Sequence, residues 1–157
     1  IYYDFYNQPL YIILLFILAF LLWTFIEYSG HRFIFHYKPK SNFTKKLLYI
    51  IHWAHHDYPN DKKRVVVSPL ISITGAIILY FISYKILGRY YSSPFFCFLV
   101  SFYLIYDWFH YACHHINFKN TYLKKIKKAH LAHHYNNSEK GFGFITNIWD
   151  KIFGTKN

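Results

Sequence analysis

Residues 65–107 read VVVSPLISITGAIILYFISYKILGRYYSSPFFCFLVSFYLIYD. Two uncharged apolar runs fill this stretch, 65–84 with 20 residues and 90–106 with 17. A third, 10–26, again has 17 and ends at Glu27. A helix spans the bilayer core with roughly 20 apolar residues and no fewer than about 17. Trp23, Tyr28, Tyr103 and Trp108 stand at run ends, where such rings anchor in the interface. Three such runs in 157 residues leave too little chain to bury them in a soluble core. The first run is too long for a signal-peptide core and follows no basic segment. Gly88 and Pro94 punctuate the short link between the second and third runs, which predicts a helical hairpin.

Charge supplies orientation. Eight Lys and Arg lie from Arg32 to Arg64 and eight Lys from Lys119 to Lys156, whereas the hairpin link holds only Lys85 and Arg89. The positive-inside rule puts both basic segments in the cytoplasm. The composition agrees with a membrane protein: 54% hydrophobic, 24% aromatic and only 16% charged, which excludes a disordered chain. Six Gly and five Pro exclude collagen-like and linker sequences, and two Cys exclude a disulfide scaffold. A net charge of +11 suits nucleic acid or an anionic membrane surface. The apolar runs decide for the membrane, and no nucleic acid partner is expected. The sequence contains no Met, so a trimmed N-terminus is expected. The fold class expected is an all-α integral membrane protein, one domain over residues 1–157. It has about three transmembrane helices, with one more possible in a trimmed part, and a cytosolic helical cap.

All eleven His fall between Glu27 and Arg64 or after Asp107, the two segments that carry these charges. They cluster as His31 and His36; His52, His55 and His56; His110, His114 and His115; and His130, His133 and His134. Two clusters read H-x-x-H-H. On a helix, positions i, i+3 and i+4 share a face, so each cluster is expected to aim three imidazoles at one point. His110 and His114, at i and i+4, also share a face. His31 and His36 are five apart, about 140° around an ideal helix, and meet only if the helix ends or distorts there or if each serves a different metal. His115 is turned about 100° from His114 and points elsewhere. Neutral imidazole is the commonest metal ligand, and ten or eleven of them make an inventory for two ions. The His are too dispersed for a purification tag. Glu27 lies four before His31, and Asp107 lies three before His110. Both are expected to accept the far N–H of a ligating imidazole, fixing its tautomer and direction. Asn147 with Asp150 three on reads as a weak N-cap opening a short interfacial helix.

The residues around these clusters resemble the fatty acid hydroxylase superfamily. Glu27-Tyr-Ser-Gly-His31-Arg32-Phe-Ile-Phe-His36 is similar to its first His box. The stretch His52-Trp-Ala-His55-His56-Asp57-Tyr58-Pro59-Asn60-Asp61-Lys62 resembles the second box in the fatty acid 2-hydroxylase (sphingolipid α-hydroxylase) branch. Tyr106-Asp107 with His110-Tyr-Ala-Cys-His114-His115 matches the third. Lys124-Lys125, His130-Leu-Ala-His133-His134-Tyr135, Gly141-Phe-Gly143-Phe, Trp149-Asp150 and Phe153-Gly154-Thr155 match the fourth and its tail. The resemblance runs from residue 23 to 155.

The resemblance implies a helical membrane enzyme whose cytosolic cap holds a di-metal centre. It implies O2-dependent hydroxylation at C2 of a long acyl chain, as a fatty acid or in a sphingolipid. The cofactors implied are two iron ions, which zinc replaces on isolation, and electrons come from an external donor such as cytochrome b5 or a ferredoxin-like protein. Ten ligands are implied: His31, His36, His52, His55, His56, His110, His114, His130, His133 and His134, with His115 outside the set. Tyr106 and Asp107 match positions near the site that matter for activity. Two departures stand out: no cytochrome b5 domain precedes the boxes, and three membrane helices are counted where members usually have four. Trp53, Trp108, Phe142 and Phe144 are candidates for the acyl path. The location implied is the endoplasmic reticulum in a eukaryote or the inner membrane in a bacterium, with the His boxes on the cytoplasmic face. The alternatives are a sterol desaturase or methyl oxidase, a carotenoid hydroxylase, and a metal-binding membrane scaffold without catalysis. The Asp57–Lys62 tail and the Gly141–Gly143 segment argue for the 2-hydroxylase branch.

Overall fold

The structure is a computed structural model, and it describes residues 9–157. Every regular element among the described residues is helical. In chain order these are α1 (Pro9–Ser29), a π-helical turn (Gly30–Phe35), α2 (Asn42–Leu48), a second π-helical turn (Tyr49–Trp53), α3 (Ala54–Asp57), α4 (Pro69–His115), α5 (Thr121–Tyr135) and α6 (Ile148–Ile152). They form two compact units. One comprises the chain up to Trp23 with Ser68–Ile105, the other Thr24–Val67 with Tyr106–Asn157.

Two helical stretches among the described residues, Pro9–Phe35 and Pro69–His115, are long and apolar enough to cross a membrane. The second and third apolar runs of the sequence both lie in α4. Gly88, at φ 73° and ψ 176°, breaks that helix, a backbone that glycine adopts at little cost. Ser72 Oγ lies 2.7 Å from Tyr103 OH, and the Tyr80 and Phe96 rings are 5.2 Å apart. Each pair straddles Gly88 almost symmetrically, so residues 69–87 and 89–115 run antiparallel as a hairpin. Pro94 was expected to share in the turn. It lies instead inside helical backbone, six residues past the break, where its ring removes one hydrogen bond from the second arm. Helix α1 runs parallel to the second arm: Tyr11 meets Tyr91, Phe16 meets Phe98 and Phe102, Phe20 meets Phe102, and Trp23 meets Tyr103. Large side chains face outward along the hairpin, with Leu70 76% and Ile86 75% exposed. An apolar surface this extensive is stable only in lipid, so the chain is an integral membrane protein.

The second unit is built from short helices. Ser41 caps α2 by accepting the Thr44 N–H at 3.1 Å, and Asn120 caps α5 by accepting those of Tyr122 and Leu123. The C-terminal residues 140–157 fold back on this unit, where the Trp149 indole N–H donates to Thr24 Oγ1 at 3.1 Å.

One crossing separates residue 89 from the histidine-bearing end of its helix. In a background with Cys97 and Cys113 replaced by Ser, Arg89→Cys and Asn157→Cys should react with a membrane-impermeant thiol reagent from opposite faces of sealed vesicles. Reaction from the same face would contradict the hairpin topology.

Candidate metal centre

Each His box reaches the centre by its own backbone device. In the first box the His36 N–H donates to the His31 carbonyl at 3.0 Å, an i to i+5 bond. This π-helical turn brings residues five apart into register, as an α-helix does for residues four apart. The two rings are then 4.9 Å apart, and both Nε2 atoms lie 3.1 Å from His52 Nε2. The distortion that the five-residue spacing needed is therefore present. In the third box regular helix suffices, and the His110 and His114 rings are 5.3 Å apart.

The two H-x-x-H-H boxes behave differently from expectation, because neither aims its three imidazoles at one point. Potential ligand atoms gather in two groups: His31, His36, His52, His56 and His133, and His55, His110, His114, His130 and His134. Within each group these atoms all lie within 4.8 Å of one another. Each box therefore gives its i and i+4 residues to one group and its i+3 residue to the other. The reason is angular: on a helix of 3.6 residues per turn, i+3 and i+4 sit about 100° apart on either side of i. His55 and His133 are exchanged reciprocally.

The inward atoms are close. His56 Nε2 is 3.0 Å from His52 Nε2, and His133 Nε2 is 3.2 Å from His36 Nε2. His130 Nε2 lies 2.8 Å from that of His114 and 3.1 Å from that of His134. Nitrogens bound side by side to one ion at about 2.0–2.1 Å stand roughly 3 Å apart, so the donor set fits a metal in each group. His55 and His110 each bury an Nε2 with no hydrogen-bond partner among the described residues. An unmet buried polar atom costs roughly 1–3 kcal/mol, which an ion would remove. Burial, and then the neighbouring imidazoles, push His36 and His55 down to about 3 and hold His52, His56, His130 and His134 below the usual histidine range. Burial also lowers His133, against a hydrogen bond to the Lys140 carbonyl that acts the other way. These rings are neutral at pH 7, with a lone pair free for metal.

The far nitrogens correct the expectation for the carboxylates. His31 Nδ1–H donates to the Phe142 carbonyl and His133 Nδ1–H to the Lys140 carbonyl, each at 2.7 Å. Glu27 does not take the His31 proton. Its carboxylate accepts the backbone N–H groups of Phe144 and Ile145, which come from far along the chain and outcompete a neighbour one helical turn away. Asp107 buries an Oδ1 with no partner among the described residues, so no bond joins it to His110 or His114. Tyr106 stacks on His110 with ring centroids 5.7 Å apart. His115 stands outside both groups, its ring 4.4 Å from that of Tyr111.

Phe142 packs on His31, His36 and His133, Phe144 on His110 and His130, and Trp53 on His36 and His56. These rings wall the imidazoles. Trp108, 58% exposed, packs on Phe109 instead. Sequence reasoning missed the role of Asp150. Asn147 makes no side-chain cap on α6, and Asp150, 1% exposed, turns away to accept the N–H groups of Phe142 at 2.9 Å and Gly143 at 2.7 Å. The signal available was one acidic residue in a segment with glycines at 141 and 143. A Cβ at Gly143 would run into the Thr146 carbonyl oxygen, so this close approach demands glycine.

The fatty acid hydroxylase family model matches residues 16–155. The chain belongs to that family. Relatives of this family member include the ceramide very long chain fatty acid hydroxylase SCS7 of Saccharomyces cerevisiae, 35% identical over 90% of this chain and 37% of that protein. The dihydroceramide fatty acyl 2-hydroxylase FAH1 of Arabidopsis thaliana is 38% identical over 88% of this chain and 59% of its own length. The fatty acid 2-hydroxylase of Mus musculus is 36% identical over 90% and 39%. Among solved structures, full-length scs7p, of which only the hydroxylase domain is visible, superposes with a TM-score of 0.89 at 34% identity, over 96% of this chain and 58% of that one. The chain thus spans between about a third and three fifths of the length of these relatives.

Two neighbouring histidines separate cleanly. His114→Ala should lower the metal bound by the purified chain, whereas His115→Ala should leave it unchanged, as read by elemental analysis. The reverse pattern would contradict the helical register of this box.

Proposed function

We propose that this chain is the hydroxylating part of an O2-dependent fatty acyl 2-hydroxylase acting on C2 of a long-chain fatty acid or of a sphingolipid acyl chain. One observation carries the reading: ten imidazoles gathered in two groups of five, in a family whose named relatives are 2-hydroxylases and ceramide hydroxylases. In this reading His31, His36, His52, His56 and His133 hold one iron, and His55, His110, His114, His130 and His134 hold the other. Zinc replaces iron on isolation, because imidazole suits both. Bound there, iron supplies the activation of O2 that an unactivated C–H bond requires and that side-chain acid–base chemistry does not reach.

The chain's own residues supply the setting. Burial keeps the imidazoles of the second and fourth boxes neutral, while Phe142, Phe144 and Trp53 shield the site from water. Tyr106 and Asp107 stand one turn before His110 and support that end of the site, and Glu27 supports the other end through the backbone it binds. The residues of both compact units act as one domain over 1–157. In the overall reaction one oxygen atom enters the C2–H bond as hydroxyl. The other leaves as water with two electrons and two protons from an external donor, a cytochrome b5 or a ferredoxin-like protein. The charge bias of the loops supports a cytoplasmic His-box face, on the endoplasmic reticulum in a eukaryote or the inner membrane in a bacterium.

Mass spectrometry of lipids from cells with and without the chain tests this. A 2-hydroxy acyl lipid that appears with the chain is the expected product. Oxygen on a sterol ring or an interior chain carbon would move the protein to another branch, and no oxygenated lipid at all would favour a scaffold.

A further inference from the structure

The two imidazole groups are not held alike. In the first group His31 and His133 each give Nδ1–H to a backbone carbonyl, and the two carbonyls, of Phe142 and Lys140, lie two residues apart on one strap. No strap carbonyl serves the second group; the Nδ1 atoms of His55 and His134 there, like that of His36 in the first group, are buried with no partner among the described residues. Every N–H of the strap from 141 to 145 is taken. Gly141 donates to the Thr155 carbonyl at 2.7 Å, Phe142 and Gly143 donate to the two oxygens of Asp150, and Phe144 and Ile145 donate to Glu27.

The Phe142 carbonyl and the Gly143 N–H belong to one peptide group. A single hydrogen-bonded line therefore runs from the Asp150 carboxylate through that peptide to His31 Nδ1 and so to the inward Nε2. The Lys140 carbonyl and the Gly141 N–H form the parallel line from His133 to the Thr155 carbonyl. Thr155 is tied back in turn, its hydroxyl donating to Asp150 Oδ1 at 2.8 Å and its N–H to the Asp150 carbonyl at 2.8 Å. Metal-ligating histidines ordinarily give their far N–H to a carboxylate or a carbonyl. Here a peptide group stands between the carboxylate and the ring, and hydrogen bonds in such a chain polarise one another.

We propose that Asp150 is a positioning residue for the first group alone, fixing the tautomer and direction of His31 through the Phe142–Gly143 peptide, and of His133 through Thr155. This rests on the reading that the two groups bind metal. A carboxylate accepts from both N–H groups at once, whereas an amide has one acceptor oxygen and meets the second N–H donor to donor. Asp150→Asn therefore breaks the line while nearly keeping shape.

The test is titration of the full chain in detergent, stripped by chelation, with cobalt(II). The wild type should take up two ions; uptake of none would sink the metal reading itself. In Asp150→Asn one ion should bind about tenfold or more weakly, the usual size of such an effect, and the other as in the wild type. Adding His110→Ala to that variant should remove the remaining tight site. Two intact sites, or two sites weakened equally, would overturn the proposal, since a purely structural role loosens both. Thr155→Val, a milder deletion of one donor to Asp150, should show the same order with a smaller loss. If Asp150→Asn fails to fold, an equal loss at both sites or no loss in Thr155→Val overturns the proposal.

Discussion

Ten imidazole rings sit in the second unit with inward nitrogens about 3 Å apart, and most of them are buried. That constraint organises the rest of the unit. Rings so close, with unmet nitrogens facing each other, are costly without a shared ion, and a charged ring among them would be costlier. The helices must therefore deliver each ring at a fixed angle. The π-helical turn at Gly30–Phe35, the i and i+4 pairs and the exchange of His55 and His133 are three local answers to that one demand.

The exchange has a consequence for stability. Because the second and fourth boxes each serve both groups, neither group is complete without α3 and α5 together. Loss of one middle histidine removes a ligand from the group that its own box mostly does not build. The strap at 140–145 gives its carbonyls to two rings of the first group only, while its Phe144 side chain packs on His110 and His130 of the second.

Much of this was legible in the sequence. Apolar runs of 17 and 20 residues and a glycine between two of them carried the membrane hairpin, since length and helix breaking are local properties. The ten histidines that meet are those named from the family resemblance, and His115 stands apart as its angle requires. What could not be read is non-local or subtle. Glu27 is in register with His31 yet bonds to residues more than a hundred positions away, and no spacing rule reports that competition. Asp150 read as a cap partner because its real partners, the Phe142 and Gly143 N–H groups, carry no side-chain signal. The split of His55 from His52 and His56 was implicit in the 100° between i+3 and i+4, but a shared face was the simpler expectation.

In the proposed reading, imidazole alone forms two metal sites. Elemental analysis of the purified chain joined to X-ray absorption at the metal edge tests it most directly. About two ions per chain are expected, each surrounded by nitrogen ligands of imidazole type. One ion per chain, or sulfur among the ligands, would contradict it.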